Sequence, residues 1–276
     1  MRPGARGGKL ARIMPRTLVH FIAKGSPLSR LGSRSAAAAP PRLLLMTDDQ
    51  RLADPLGAAD RLPAKAGVIV RHYACAGAVR HGLARALIAR LRARRIAVIL
   101  AAPSPAHALP AGLAGLHLPD KLAAHGLLAR LLLWRRAARG RWLCAAAHDA
   151  PAMIRARRLG CALIVLSPLF PTASHPGARG LGARRAALLI HRLAAHRAPG
   201  RAPAGSIAGK APAVIALGGI STLSFRRLAG CGFGGIAGIS ALPGMKWRRS
   251  GREKPKPRTG DGKSRRPPVC LSPLSA

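Results

Sequence analysis

The segment Ser167-Pro168-Leu169-Phe170-Pro171-Thr172-Ala173-Ser174-His175-Pro176-Gly177 gathers hydroxyls, an imidazole and turn-forming residues directly after the apolar run 161–166. Thr172 and Ser174 can donate to phosphate oxygens, and His175 adds a cation wherever its charged form is held. Further along, the run 213–217 leads into Gly218-Gly219-Ile220, and the run 235–239 leads into Ser240-Ala241. Glycine lets backbone N–H groups approach an anion closely. Gly218, Gly219, Ile239 and Ser240 are therefore candidates for a phosphate cradle. His148 follows Ala145-Ala146-Ala147 and is itself followed by Asp149. An imidazole with an ordinary pKa of about 6.5 suits proton transfer at neutral pH, and Asp149 is placed to hold its charged form. Arg71, after Val68-Ile69-Val70, offers a guanidinium to an anionic group. Each of these has a plainer reading as well: a Pro-rich turn, a loop histidine, a solvated arginine.

Such residues act together only if a scaffold brings them to one place. Eight short apolar runs, at 43–46, 68–70, 96–100, 115–118, 142–145, 162–166, 213–217 and 235–239, read as strands buried on both faces. Between them, 79–94, 122–138, 151–159 and 183–196 have helical length and polarity. Strand and helix in alternation predict an α/β fold with a parallel sheet, and eight repeats predict a (β/α)8 TIM barrel over 43–243. In such a barrel the chemistry belongs at the C-terminal ends of the strands, where all the candidates above lie. The Pro-, Gly- and Ala-rich stretch 198–212 is longer than the usual connection.

Lys plus Arg number 47 against 8 acidic residues, for a net charge of +39. A field of this sign attracts phosphorylated metabolites, nucleic acid or an anionic membrane surface. The charge is spread along the chain, as expected when codon composition inflates Arg everywhere. Residues 1–42 hold nine Arg or Lys and no acid, and are expected to be a basic tail, a transit-like segment or an over-extended start preceding Met14 or Met46. Residues 244–276 form a second, Pro-rich basic tail. The five cysteines show neither C-x-x-C nor zinc spacing, which argues for packing thiols in a reducing compartment and a cytoplasmic location. No uncharged run reaches the ~18 residues of a membrane span.

In their order and spacing, the 167–177 loop, the Gly218-Gly219 and Ser240 strand ends and the His148 loop resemble the thiamine phosphate synthase family and its TenI-like thiazole tautomerase relatives, over roughly residues 43–242. The resemblance implies coupling of a hydroxymethylpyrimidine diphosphate with thiazole phosphate, with release of diphosphate. Thr172, Ser174 and His175 match in order the Thr, Thr and Lys of the family's Pro-Thr-x-Thr-Lys loop, and Arg71 matches the Arg of a Gln-x-Arg-x-Lys pattern. Ile69 and Tyr73 replace that pattern's Gln and Lys. The family's Mg2+ ligands align with Ala102-Pro103 and Leu122, which cannot bind a hard cation, leaving Asp120 as the candidate metal ligand and Asp48 as another nearby carboxylate. Retention of His148 without those carboxylates fits the alternative, metal-independent tautomerisation of the thiazole. Two further readings compete: non-specific nucleic-acid binding through the basic tails, without a stacking platform because only eight aromatics occur, and an inactive barrel.

Overall fold

The computed structural model describes residues 39–101, 108–119, 128–137, 140–172, 180–195 and 211–239. Residues 1–38 of the first basic tail, all of the second, most of the 198–212 stretch, the positions of the expected Mg2+ ligands, and the site candidates Asp120, Ser174, His175 and Ser240 lie outside them. The strands are β1 (Leu43–Met46), β2 (Gly67–Val70), β3 (Ala97–Ala101), β4 (Gly115–Leu118), β5 (Trp142–Ala147), β6 (Leu163–Leu166), β7 (Ala213–Ala216) and β8 (Gly235–Gly238). Each pairs in parallel with the next, and β8 closes on β1 through Leu43↔Ile236 and Leu45↔Gly238. The expected TIM barrel is the fold of this chain. Strand bounds move by one or two residues, the largest extension taking β5 to Ala147, whose register partner is Leu166 of β6.

Helices α1 (Pro55–Asp60), α2 (Gly77–Leu91), α3 (Leu128–Arg136), α4 (Ala150–Arg158), α5 (Ala183–Ala195) and α6 (Thr222–Arg226) fill the crossovers. Periodicity misses α1 and α6 because six and five residues hold too few turns to show it. Their starts are nonetheless written in the chain. Asp54 accepts from Gly57 N ahead of Pro55, and Ser221 forms a reciprocal capping box with Ser224. After α2 a 3-10 turn at Arg92–Arg94 ends at Arg95 in the left-handed region, φ 53°.

Alternation along each strand sorts the side chains into two shells. Leu44, Met46, Ile69, Ile99, Ala101, Cys144, Leu163, Val165, Ile215 and Ala237 fill the barrel interior. Leu43, Leu45, Val68, Val70, Leu100, Leu116, Leu143, Ile164 and Leu166 face outward into the helix layer, against Leu87, Leu91, Met153, Ala186 and Leu193. Burying a Leu or Ile side chain is worth about 1.5–3 kcal/mol, so the strand residues of both shells carry the fold.

One polar couple stands within this apolar interior. His117 pairs in register with Ala101 and Cys144, so it points inward with them, and its Nδ1 lies 3.1 Å from Cys144 Sγ. Burial, with a smaller contribution from the Arg71 charge, pushes the His117 pKa down to about 3, and burial pushes the Cys144 thiol up. Both are neutral at physiological pH. Because the folded pKa is depressed, the unfolded chain takes up a proton below its ordinary pKa of 6.5 that the folded chain refuses. Stability is then full above the ordinary value and falls by about 1.4 kcal/mol per pH unit on acidification toward the folded pKa. Urea titrations at pH 7 and pH 5 should show wild type losing about 2 kcal/mol more than His117→Asn; equal losses would mean that the ring is not held neutral.

Candidate functional site

The C-terminal ends of all eight strands open on one rim, and a polar network there joins β1 to β2. Thr47, fully buried just after β1, accepts from Arg71 N through Oγ1 at 3.1 Å. The same hydroxyl oxygen lies 2.9 Å from His72 Nδ1, a buried hydrogen bond between the two side chains. Burial in first place lowers the His72 pKa. The Arg71 side chain is held twice more: Nε donates to Thr47 O at 3.1 Å, and a terminal nitrogen meets Asp48 Oδ2 at 2.7 Å. Asp48 Oδ1 accepts from the backbone of Gln50 and Arg51. Arg71 is thus a positioned cation at the rim, and its charge is felt by His117 inside the barrel and by Tyr73 on the loop above. His72 has φ 32°, a left-handed conformation that a non-glycine residue adopts at a cost of about 1–3 kcal/mol.

Across the barrel, His148 follows β5 and is exposed. Its Nδ1 lies 2.6 Å from Ser167 O at the end of β6. A carbonyl only accepts, so Nδ1 donates, and in the neutral ring Nε2 keeps a lone pair able to take a proton. Asp149 does not perform the role expected of it: its carboxylate accepts from Ala152 N at 2.8 Å and caps α4. A cavity of about 430 Å³ opens beside His148, between the start of α4 and the Leu181, Arg185, Leu188 and Arg192 side of α5. It belongs to the helix layer, outside the ring of strands.

Gly218 and Gly219 do meet the loop after β6, but the close approach is to protein. Leu169 N donates to Leu217 O at 2.9 Å and Phe170 N to Gly218 O at 3.1 Å, joining the two loops as though the strands continued. A Cβ on Gly219 would sit 2.5 Å from Pro171 O and 2.8 Å from Phe170 Cβ, and both glycines have φ in the left-handed region, +96° and +63°. The need for glycine is therefore accounted for by loop-to-loop packing. Arg227, capping the end of α6, lies 5.6 Å from the Phe170 ring centroid and closes the same corner. Thr172 follows, half-buried. Ile239, expected among the phosphate contacts, packs onto the interior cluster with Leu217 and forms part of the apolar floor.

Mg2+ needs a cage of oxygen ligands, and the carboxylates described at this rim do not fit one. Asp48 is engaged by Arg71 and two backbone amides, Asp49 by Ala74 N and Asp149 by α4. Among the described residues no three of His, Cys, Asp and Glu gather as a metal cluster.

A family model described as thiamine monophosphate synthase matches residues 47–242, well over half of the chain. The chain belongs to that family. Membership associates the chain with thiamine biosynthesis, and the matched segment runs from the Thr47 network to just beyond β8. Among solved structures, the chain is similar to thiamine phosphate pyrophosphorylase from Pyrococcus furiosus, with 16% identity, a TM-score of 0.52, and coverage of 74% of this chain and 87% of that one. It also matches FabK from Thermotoga maritima, at 12% identity and a TM-score of 0.45 over 72% of this chain and 58% of that one. A structure described as native KDPGal matches at 15% identity and a TM-score of 0.41, over 72% and 81%. The first of these likenesses speaks to the fold alone. No curated protein matches the sequence. No helix among the described residues is long and apolar enough to cross a membrane.

The residues that sequence reasoning overlooks here are Thr47, His72 and His117. Thr47 and His72 flank Arg71 across two strands, and only strand pairing shows that they touch. Thr47→Val should remove the acceptor of Arg71 N and the hydrogen-bond partner of His72 in one step, costing about 1–3 kcal/mol in urea denaturation. Thr47→Ser should recover most of that loss, and equal stability of the Val variant would refute the network. Gly219→Ala should likewise destabilise by at least about 1 kcal/mol, because neither its φ nor the Pro171 carbonyl accommodates a Cβ.

Proposed function

We propose that this member of the family couples hydroxymethylpyrimidine diphosphate to thiazole phosphate, releasing diphosphate. The observation that carries the reading is Arg71, fixed by Thr47 and Asp48 at the barrel mouth with its charge bearing on the interior. In the reaction, the bond between the pyrimidine methylene carbon and the diphosphate oxygen breaks, with its electron pair leaving on diphosphate. The thiazole nitrogen then donates its lone pair to that carbon. No proton has to move, so the chain's task is to hold two anionic substrates in line and to neutralise the departing charge. A cation already held in place needs no reorganisation at that moment. Thr172, with Ser174 and His175 beyond it, is proposed to hold the thiazole phosphate, together with the backbone at Gly218-Gly219 and Ser240. Mg2+, if bound at all, would fall to Asp120; no step here depends on it. The small-molecule substrates are the proposed partners, a cytoplasmic setting suits them, and any nucleic-acid contact is assigned to non-specific attraction by the basic tails.

A second reading has its own observation. His148 Nε2 is left available by the Nδ1 donation to Ser167 O, which suits an acid–base residue shifting a proton between two positions of the thiazole phosphate without metal. This is an isomerisation, with nothing gained or lost.

Both substrates should be supplied to the full chain, with and without EDTA, while thiamine phosphate is followed by chromatography and thiazole isomerisation by NMR. Coupling should fall roughly 10²–10³-fold with Arg71→Gln. Coupling untouched by that change, with isomerisation lost in His148→Asn, would replace the first reading by the second.

A further inference from the structure

We propose that the cavity of about 430 Å³ between the start of α4 and one face of α5 is a binding site for an organic phosphate with an apolar ring, separate from the barrel mouth. The coupling reading does not use this cavity, so the two stand independently.

One stripe of α5 supplies most of the lining. Arg185, Leu188, Leu189 and Arg192 recur at helical steps of three, one and three, which sets them on one face. Ala186 and Leu193, the residues of α5 buried against the barrel, lie on the neighbouring face. Leu189 joins the edge of that packing, whereas Leu188 is 61% exposed. Leu181 and, from the start of α4, Pro151 extend the apolar lining. A volume of this size falls within the range of about 300–1,000 Å³ usual for small-molecule sites.

The charges in the lining set the class of ligand. Arg185 and Arg192 make no hydrogen bond or ion pair with any described residue. The carboxylate of the lining, Asp149, is already engaged, accepting from Ala152 N at 2.8 Å as the cap of α4. His148 turns Nδ1 to Ser167 O, 2.6 Å away, which leaves Nε2 as the ring nitrogen able to meet a ligand. Two unpaired guanidiniums beside one engaged carboxylate select an anion, and the leucines select an apolar body. Seven residues separate the two arginines by about 10.5 Å along the helix axis, a gap that their long side chains can close on a group held between them. A phosphomonoester carries a charge of about −1.5 to −2 at neutral pH and three acceptor oxygens, enough for both guanidiniums, where a carboxylate has charge for one. The chain's own residues 173–179 include no acid, so charge matching points to a molecule from outside.

The test is calorimetric titration of the full chain with 1-naphthyl phosphate at about 0.15 M ionic strength, where attraction to the basic surface is screened beyond about 8 Å. Arg185→Gln and Arg192→Gln should each weaken binding roughly 3–10-fold, and Leu188→Ser should weaken it too. Arg184→Gln removes the same charge from an exposed position of α5 outside the cavity and should leave the affinity unchanged, as should Arg71→Gln at the mouth. Inorganic phosphate, which lacks the ring, and 1-naphthoate, which lacks the second charge, should both bind more weakly. The His148 ring resonance, assigned by its absence in His148→Asn, should move as the probe is added. Weakening by Arg184→Gln equal to that by Arg185→Gln would mean attraction to the basic surface at large, and weakening by Arg71→Gln would put the probe in the mouth. Either result overturns the proposal, as would naphthoate binding as tightly as the phosphate, an unmoved His148 resonance, or a wild-type chain that ignores the probe. None of these outcomes bears on the coupling reading, which fails only if thiamine phosphate formation is untouched by Arg71→Gln.

Discussion

Side-chain parity along eight strands of four to six residues governs what this barrel can present at its mouth. Each strand sends alternate residues inward, and closure between β1 and β8 leaves no edge at which a register error could be absorbed. A slip of one residue in β4 would turn His117 out of the interior and Leu116 into it. The same constraint sets Thr47 beside Arg71, because Met46 pairs with Ile69 and the chain continues one residue further after β1 and two after Ile69 of β2. The interior packing and the polar network at the rim are therefore two consequences of one registration.

Above that frame the loops divide the work. The corner after β1 and β2 is rich in directed polar contacts: a threonine bridging two strands, an arginine held at three points, a histidine kept neutral by burial. The corner after β6 and β7 is built from backbone, with two inter-loop hydrogen bonds and two glycines that admit the approach. His148 spans the gap between β5 and β6 through a single carbonyl. Among the described residues, a held cation lies on one side of the mouth and a proton-accepting nitrogen on the other.

Acidic residues are so few that each described one has a task within the chain. Asp48 positions Arg71, Asp49 ties the loop after β2, Asp54 and Asp149 cap helices, and Asp60 pairs with Arg90. That scarcity bears directly on chemistry. A chain with 8 acids among 47 bases has little carboxylate to give to a metal cage, and guanidinium groups are its most abundant means of stabilising negative charge.

By itself the sequence determined the fold class and the positions of the strands, because continuous runs such as Leu163–Leu166 have few alternatives to a doubly buried strand, and strand–helix alternation leads to a parallel barrel. It also placed Arg71, His148 and the two glycines at strand ends, since those are local facts of order. Tertiary structure alone decided their partners. Asp149 stands next to His148 in the chain yet turns to cap α4, because the nearest orphan amides belong to that helix. The glycines fit the 167–171 loop, a contact between segments some fifty residues apart. Residue types and spacing carry the backbone's periodicities; which side chain faces which is settled by packing between distant segments, and a linear pattern does not encode that.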